Sequence, residues 1–414
     1  MKIKLLTVAM LSTTLFLTAC GGDDNGSTVF VPKPEIPENN IKNPVVTTPT
    51  AYTKSDFSTV ASQSLIMTYR MLGQDGKETM ATSLVFVPNT PIPTGGWKIV
   101  AWAHGTTGVA DQCAPSRKEI DSDVKSMISK LLAAGYVVVA PDYEGLGEPS
   151  GHEFHPFLNI KSEAFSVTDA VVATRAYMTA QGKKMSDQWM TVGHSQGGQA
   201  ALGVAQYESR AKLKYKGTIA VAPASNLQLI LEKGNESVAN ASLGVKIAMY
   251  AKLDTYTALI TAGLRNSTSI QYQDVFKAST DTIAQKAETL CADELGNLFG
   301  AGMQVYAQNH GWSLDGYPRT QANFTTIPII NNFLTKDSQP LQKKITTPII
   351  IYQGTLDSTV PKLATDLLVY YARAVGTSIP DTNYRIDNWD HGTAYGLNID
   401  SIVNDVKATM PVNN

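Results

Sequence analysis

The sequence predicts an α/β fold: a mostly parallel sheet with helices on both faces and a helical segment inserted late in the chain. Three observations carry that reading. Strand-like apolar runs alternate with amphipathic helical ones. Several of these runs are continuously apolar, as strands buried on both faces of a parallel sheet are. The alternation then stops between Ser225 and about Thr326, where the pattern is mostly helical. The reading divides the chain into a signal peptide (1–19), a disordered tether (20–50), the core in two parts (51–225 and 326–414) and a helical cap inserted between them (226–325).

The elements follow in order. SLIMTYRML (64–72) and MATSLVFVPN (80–89) are strand-like runs separated by the turn-rich GQDGKE, a hairpin signal. WKIVAWAHG (97–105) is the next strand. A helix follows, with Ile120, Val124, Met127, Ile128, Leu131 and Leu132 on one stripe and Gly135 where a C-terminal cap belongs. YVVVAPDYEG (136–145) is a β-branched, doubly buried strand. A second helix covers roughly Ser162 to Ala180, and the strand Trp189 to Val192 comes after it. GTIAVAPAS (217–225) and TPIIIYQG (347–354) are further strands of the same type. Between them, Leu243, Ile247 and Tyr250 mark a helix in the inserted segment, placed over one edge of the sheet.

With 414 residues, 43% hydrophobic and 17% charged, the chain can bury a large core, as one domain with an insertion or as two smaller domains. A net charge of −2 without a long basic run excludes a nucleic-acid partner. The N-terminus reads as a targeting segment: Lys2 and Lys4 precede an apolar stretch, Leu5 to Leu17, that is too short to span a bilayer. Leu17-Thr18-Ala19-Cys20 resembles a bacterial lipobox, which makes Cys20 the lipidated mature N-terminus and the membrane a partner through its acyl chains. Gly21 stands where an inner-membrane lipoprotein often carries Asp, which places the protein at the outer membrane of a bacterial envelope. The Gly-, Pro-, Asn- and Thr-rich residues that follow read as the tether. Of the 3 cysteines, Cys113 and Cys291 then remain in an oxidising compartment, where a disulfide is the economical reading and two free thiols the alternative.

The chemistry concentrates at WMTVGHSQGGQAALG (189–203). Gly193-His194-Ser195-Gln196-Gly197 fits G-x-S-x-G, a weak pattern alone. Here an apolar strand precedes it and an alanine-rich helix former follows, the strand–turn–helix context that presents a nucleophilic serine. A serine hydroxyl needs a base to take its proton and a carboxylate to orient that base. In α/β-hydrolases the chain order is Ser, Asp or Glu, then His. Of 6 histidines, His310 and His391 lie beyond Ser195, and only His391, in NWDHGTAY, follows a suitable carboxylate strand. Asp357 follows TPIIIYQGTL at the end of such a strand. Asp366 falls on the next helix, and Asp390 adjoins His391 too closely to accept its ring N–H.

Two amides complete the set as an oxyanion hole: Gln196, after the nucleophile, and Thr106 in His104-Gly105-Thr106-Thr107-Gly108, with Thr107 the alternative. His104 reads as a prop for that loop. His152 and His155 in GHEFHPF have H-x-x-H spacing in a Gly/Pro loop but no third ligand, so no metal and no cofactor is expected.

HGTTGVADQCAPS (104–116), PDYEGLG (141–147), GHSQGGQAALG (193–203), GTLDSTVP (354–361) and DHGTAY (390–395) together resemble the secretory lipase family of α/β-hydrolases, over most of residues 55–410. The resemblance implies Ser195 as nucleophile, Asp357 as acid, His391 as base and a helical cap over the site. It also implies hydrolysis of carboxylic esters, often of fatty acids, and supports Cys113 as a disulfide partner tying core to cap. The lipobox and tether depart from the family pattern and suggest a bacterial, membrane-anchored member. Two other readings stand beside it: a peptidase or amidase with the same triad, and a non-catalytic surface lipoprotein, since fold does not dictate function.

Overall fold

The continuous apolar runs form the middle of a nine-stranded sheet in the computed structural model, which describes residues 36–412. The signal peptide, Cys20 and the first part of the tether lie outside the described residues. The strands are β1 (Thr50–Ala51), β2 (Ala61–Leu72), β3 (Glu78–Pro88), β4 (Trp97–Ala103) and β5 (Val137–Pro141), then β6 (Met185–His194), β7 (Lys214–Val221), β8 (Ile349–Gly354) and β9 (Tyr384–Asp387). Their order in the sheet is β1-β2-β3-β5-β4-β6-β7-β8-β9. The pairs from β1 to β5 are antiparallel, and those from β5 through β4 to β9 are parallel.

Helices cover both faces, and the strands supply alternate side chains to each. Ile99, Ala101 and Ala103 of β4 join one core, shared with α2 (Ile160–Ala180) and α3 (Gln196–Tyr207). Val100 and Trp102 join the other, shared with α1 (Ser122–Ala133). The first helix shows how the sequence sets these boundaries. Asp121 caps α1 by accepting from Asp123 N at 2.9 Å, a contact worth about 1 kcal/mol. Met127, Ile128, Leu131 and Leu132 are buried, each contributing roughly 1.5–3 kcal/mol of transfer free energy. Gly135, at φ 86°, turns the chain out of the helix, while Ile120 stays outside it, ahead of the cap.

The stretch between β7 and β8 contains α4 (Leu227–Ser237), α5 (Leu243–Arg265), α6 (Tyr272–Val275), α7 (Thr280–Ala284), α8 (Ala292–Asn309) and α9 (Pro328–Asn332). These helices share a core with Val109, Phe157 and Val360 from outside the stretch, with Leu231, Leu259, Phe276, Phe299 and Phe333 among its buried residues. It is tied down at several points. Cys113 and Cys291 form a disulfide, with Cα atoms 5.4 Å apart. Ala292 N donates to Thr107 O at 2.9 Å. Asn266 Nδ2 donates to Phe154 O at 2.6 Å, and its Oδ1 accepts from Phe154 N at 3.1 Å. After β8 come α10 (Lys362–Ala374), α11 (Thr393–Gly396) and α12 (Ile399–Thr409). Among the described residues no helix is long and apolar enough to cross a membrane.

The expectation of a tether reaching residue 50 is corrected for residues 36–50. From Ile36 on, the chain lies against the fold. Arg210 Nη1 donates to Pro37 O at 2.7 Å, and Asn39 Nδ2 donates to Asp169 Oδ1 at 2.8 Å. Asp169 is in turn held by the Arg210 guanidinium at 2.7 Å, a pair buried on both sides. Val46 N donates to Thr68 O, and Arg70 N donates to Pro44 O, which extends the pairing along β2. The segment is ordered by backbone pairing and one buried cation, neither of which leaves a hydrophobic period in the sequence.

Candidate active site

Ser195 sits between β6 and α3 with φ 60° and ψ −120°, a strained turn for a residue with a side chain. Two glycines permit it. A Cβ on Gly193 would run into the carbonyl of Gly197, and one on Gly197 would strike the carbonyl of Ala103. Strand and helix therefore approach more closely than side chains allow, which lifts Ser195 to the C-terminal edge of the sheet.

His391 Nε2 lies 2.8 Å from Ser195 Oγ, and its Nδ1 lies 2.7 Å from Asp357 Oδ2. The His391 loop follows β9, and the Asp357 loop follows β8, so both are carried to the edge that holds Ser195. The side chain of Asp357 is fully buried, and its second oxygen accepts from Thr359 N and Val360 N, both at 2.8 Å. Those two amides fix the carboxylate plane and leave Oδ2 for the imidazole. Asp366 is engaged elsewhere, by Lys362 and Tyr384, and Asp390 Oδ1 accepts from Thr393.

Thr106 and Gln196 both line a space that Ser195 also borders. Gly105 passes close to the elbow, its Cβ position 3.9 Å from Ser195 Cβ. Neither Thr106 N nor Gln196 N has an acceptor among the described residues. Thr107 is turned toward the inserted helices, its carbonyl taken by Ala292 N. His104 is buried below this loop, with Nδ1 2.6 Å from Gly105 O and Nε2 3.2 Å from Asp142 O. Burial lowers its pKa to about 4, so it is neutral.

Two contacts at the site lay beyond the sequence reading. His194 Nε2 is 2.9 Å from His391 O, and its ring stacks on Tyr395 at 5.3 Å. Burial, then the nearby His391, lowers its pKa to about 4. Behind the elbow, the Gln196 side-chain amide donates to Glu163 Oε1 at 2.7 Å and to His155 Nε2 at 2.8 Å. His155 Nδ1 reaches Glu144 O at 2.9 Å. This buried chain anchors the residue whose backbone amide faces Ser195. His155 thus acts as an interior hydrogen-bonding group; its one sequence signal was the apolar Pro156-Phe157-Leu158 that follows it. Among the described residues no group of three His, Cys, Asp or Glu is arranged to hold a metal ion.

Two spaces open at Ser195. One is a cleft of about 590 Å³ bordered by His104, Thr106, Ser195, Tyr256, Asp293 and His391. The other is a narrow apolar slot of about 40 Å³ under α4 and α5, walled by Phe157, Leu227, Ile230, Leu231, Leu253 and Ile260. A serine, an imidazole aligned by a carboxylate, two free amides and an apolar slot suit attack on an acyl carbonyl.

The family model for the secretory lipases matches residues 118–380. No curated protein sequence matches the chain. A ligand-bound form of the rice cell wall degrading esterase LipA from Xanthomonas oryzae superposes with a TM-score of 0.63 at 19% identity, covering 89% of this chain and 98% of that one. The closed state of lipase A from Candida antarctica superposes with a TM-score of 0.62 at 16% identity, covering 90% of this chain and 84% of that one. At such identities the likeness is one of fold, and that fold is the α/β-hydrolase.

Proposed function

Because the chain belongs to the secretory lipase family, and so is a lipase-like hydrolase acting on ester or lipid substrates, we propose that it cleaves carboxylic esters through an acyl-enzyme on Ser195. His391 Nε2 takes the proton as Ser195 Oγ attacks the carbonyl carbon, and Asp357 holds the Nδ1–H and stabilises the imidazolium. The amides of Gln196 and Thr106 receive the oxyanion, each such donor worth roughly 10²–10³ in rate. His391 then protonates the leaving alcohol. Water then attacks the acyl carbon while giving a proton to His391, and the acyl–Oγ bond breaks to release the acid as His391 returns that proton to Ser195 Oγ.

The observation that carries this reading is the run of contacts from Ser195 to His391 to Asp357, at 2.8 and 2.7 Å. The apolar slot favours an acyl chain over a polar group, since burying an unpaired polar group there costs roughly 1–3 kcal/mol. We place the enzyme at a bacterial outer membrane, anchored by lipid on Cys20, on the strength of the Leu17–Cys20 motif. Loss of membrane association on Cys20→Ala tests that placement.

The reaction is tested with p-nitrophenyl esters from acetate to palmitate, comparing wild type with Ser195→Ala. A fall of several orders of magnitude in kcat is expected. Equal rates in the two proteins would overturn the assignment.

A further inference from the structure

Three spaces converge on one inserted side chain. Besides the cleft and the slot, a groove of about 770 Å³ runs between α5 and α8. Thr106 and Tyr256 alone border all three. Thr106 is part of the loop after β4, whereas Tyr256 is supplied by α5.

The Tyr256 ring lies against Phe157 in the slot wall, with centroids 6.2 Å apart. On its other side, the groove is lined largely by small residues, among them Ala248, Ala251, Gly296, Gly300 and Ala301. The ring therefore supplies bulk where slot and groove adjoin. The Tyr256 hydroxyl has no hydrogen-bond partner among the described residues. Burial, with Asp357 and Asp293 nearby, pushes its pKa up to about 12, so it is a phenol throughout the working range. An apolar chain filling the slot would strip water from that hydroxyl, which costs roughly 1–3 kcal/mol unless the ligand returns an acceptor. An ester offers acceptors and no donor.

We propose that Tyr256 is a specificity-determining residue: its ring partitions the slot from the α5–α8 groove and keeps a linear acyl chain in the slot, while its hydroxyl donates to an ester oxygen of substrate held at Ser195. The inference rests on the ester-hydrolase reading.

The test combines p-nitrophenyl esters of graded acyl length with alkyl fluorophosphonates of graded alkyl length, on full-length wild type, Tyr256→Phe and Tyr256→Ala. Thermal melting accompanies each, and Tyr256→Phe keeps the ring that packs on Phe157. Tyr256→Phe should lower kcat/KM about tenfold at every chain length and leave the optimum in place, as loss of one hydrogen bond does. Tyr256→Ala should move the optimum to longer or branched chains in both the ester and the labelling series. A folded Tyr256→Phe with wild-type kcat/KM, together with an unchanged chain-length order in Tyr256→Ala, would overturn the proposal. If wild-type Ser195 takes no label from any fluorophosphonate, the ester-hydrolase reading itself falls. If it labels with the same length dependence in wild type and Tyr256→Ala, only the role of Tyr256 falls.

Discussion

His194 Nε2 donates to the carbonyl oxygen of His391 across 2.9 Å, so the residue before the candidate nucleophile holds the backbone of the candidate base. A carbonyl can only accept, which places the His194 proton on Nε2. The ring, stacked on Tyr395 and tilted against His391, is then a fixed, neutral strut. His194→Phe keeps the stack and removes the donor. It should lower kcat about tenfold with little change in KM, the worth of one hydrogen bond spent on alignment. His194→Gln, which restores an N–H, should recover part of that loss in steady-state kinetics on p-nitrophenyl butyrate.

Asp357→Asn is expected to be far more damaging. The amide can donate where the carboxylate accepted, which favours the wrong imidazole tautomer at His391. A drop of roughly 10⁴ in kcat is the usual result of that exchange. The melting temperature should shift only modestly if Thr359 N and Val360 N keep the side-chain oxygen as their acceptor. A near-normal rate in a stopped assay at pH 7 would contradict the role.

The disulfide between Cys113 and Cys291 closes a sequence separation of 178 residues. Removing such a link from the native state is expected to cost about 2–5 kcal/mol. The double variant Cys113→Ser/Cys291→Ser should therefore show a lower urea midpoint than wild type. Adding reductant should lower the wild-type midpoint toward that of the variant and leave the variant unmoved.

Stability should depend on pH through Glu144. Burial, then the nearby Glu153, raises its pKa to about 8, while Gln74 N and Ser162 Oγ donate to it and offset part of the rise. Because its folded pKa lies above the unfolded value near 4.5, the folded state holds a proton that the unfolded state has released. Its contribution is present below the unfolded pKa and is lost as pH rises toward 8. His104 and His194, both lowered to about 4, act with the opposite sign between about 4 and 6.5, where the unfolded chain is the better proton binder. Above pH 6.5 the histidines add no further pH dependence, and stability should fall to about pH 8. Urea midpoints taken from pH 6 to 9 check this, and Glu144→Gln should flatten the decline.

The sheet was legible because its strands are doubly buried, and such strands leave continuous apolar runs. Ser195 was legible because its turn needs glycines on both sides, and Asp357 and His391 because chain order confines them to the ends of late strands. The packing of residues 36–49 was not, since backbone pairing and the Arg210 clamp leave no periodicity. His194 was read only as the x of a motif. Its contact with His391 spans 197 positions, and nothing local announces it. The anchoring of Gln196 by Glu163 and His155 likewise depends on α2 and the loop before it crossing behind the elbow.

Ala292 N holds the carbonyl of Thr107, one residue from the proposed oxyanion amide, and the neighbouring Cys291 is covalently joined to Cys113. The inserted helices cannot swing away as a rigid flap at that corner without dragging with them the loop that carries the proposed oxyanion amide. On the proposed mechanism, substrate would exchange through the cleft at Ser195, and a substitution that loosens the stitch is expected to register first as slow turnover.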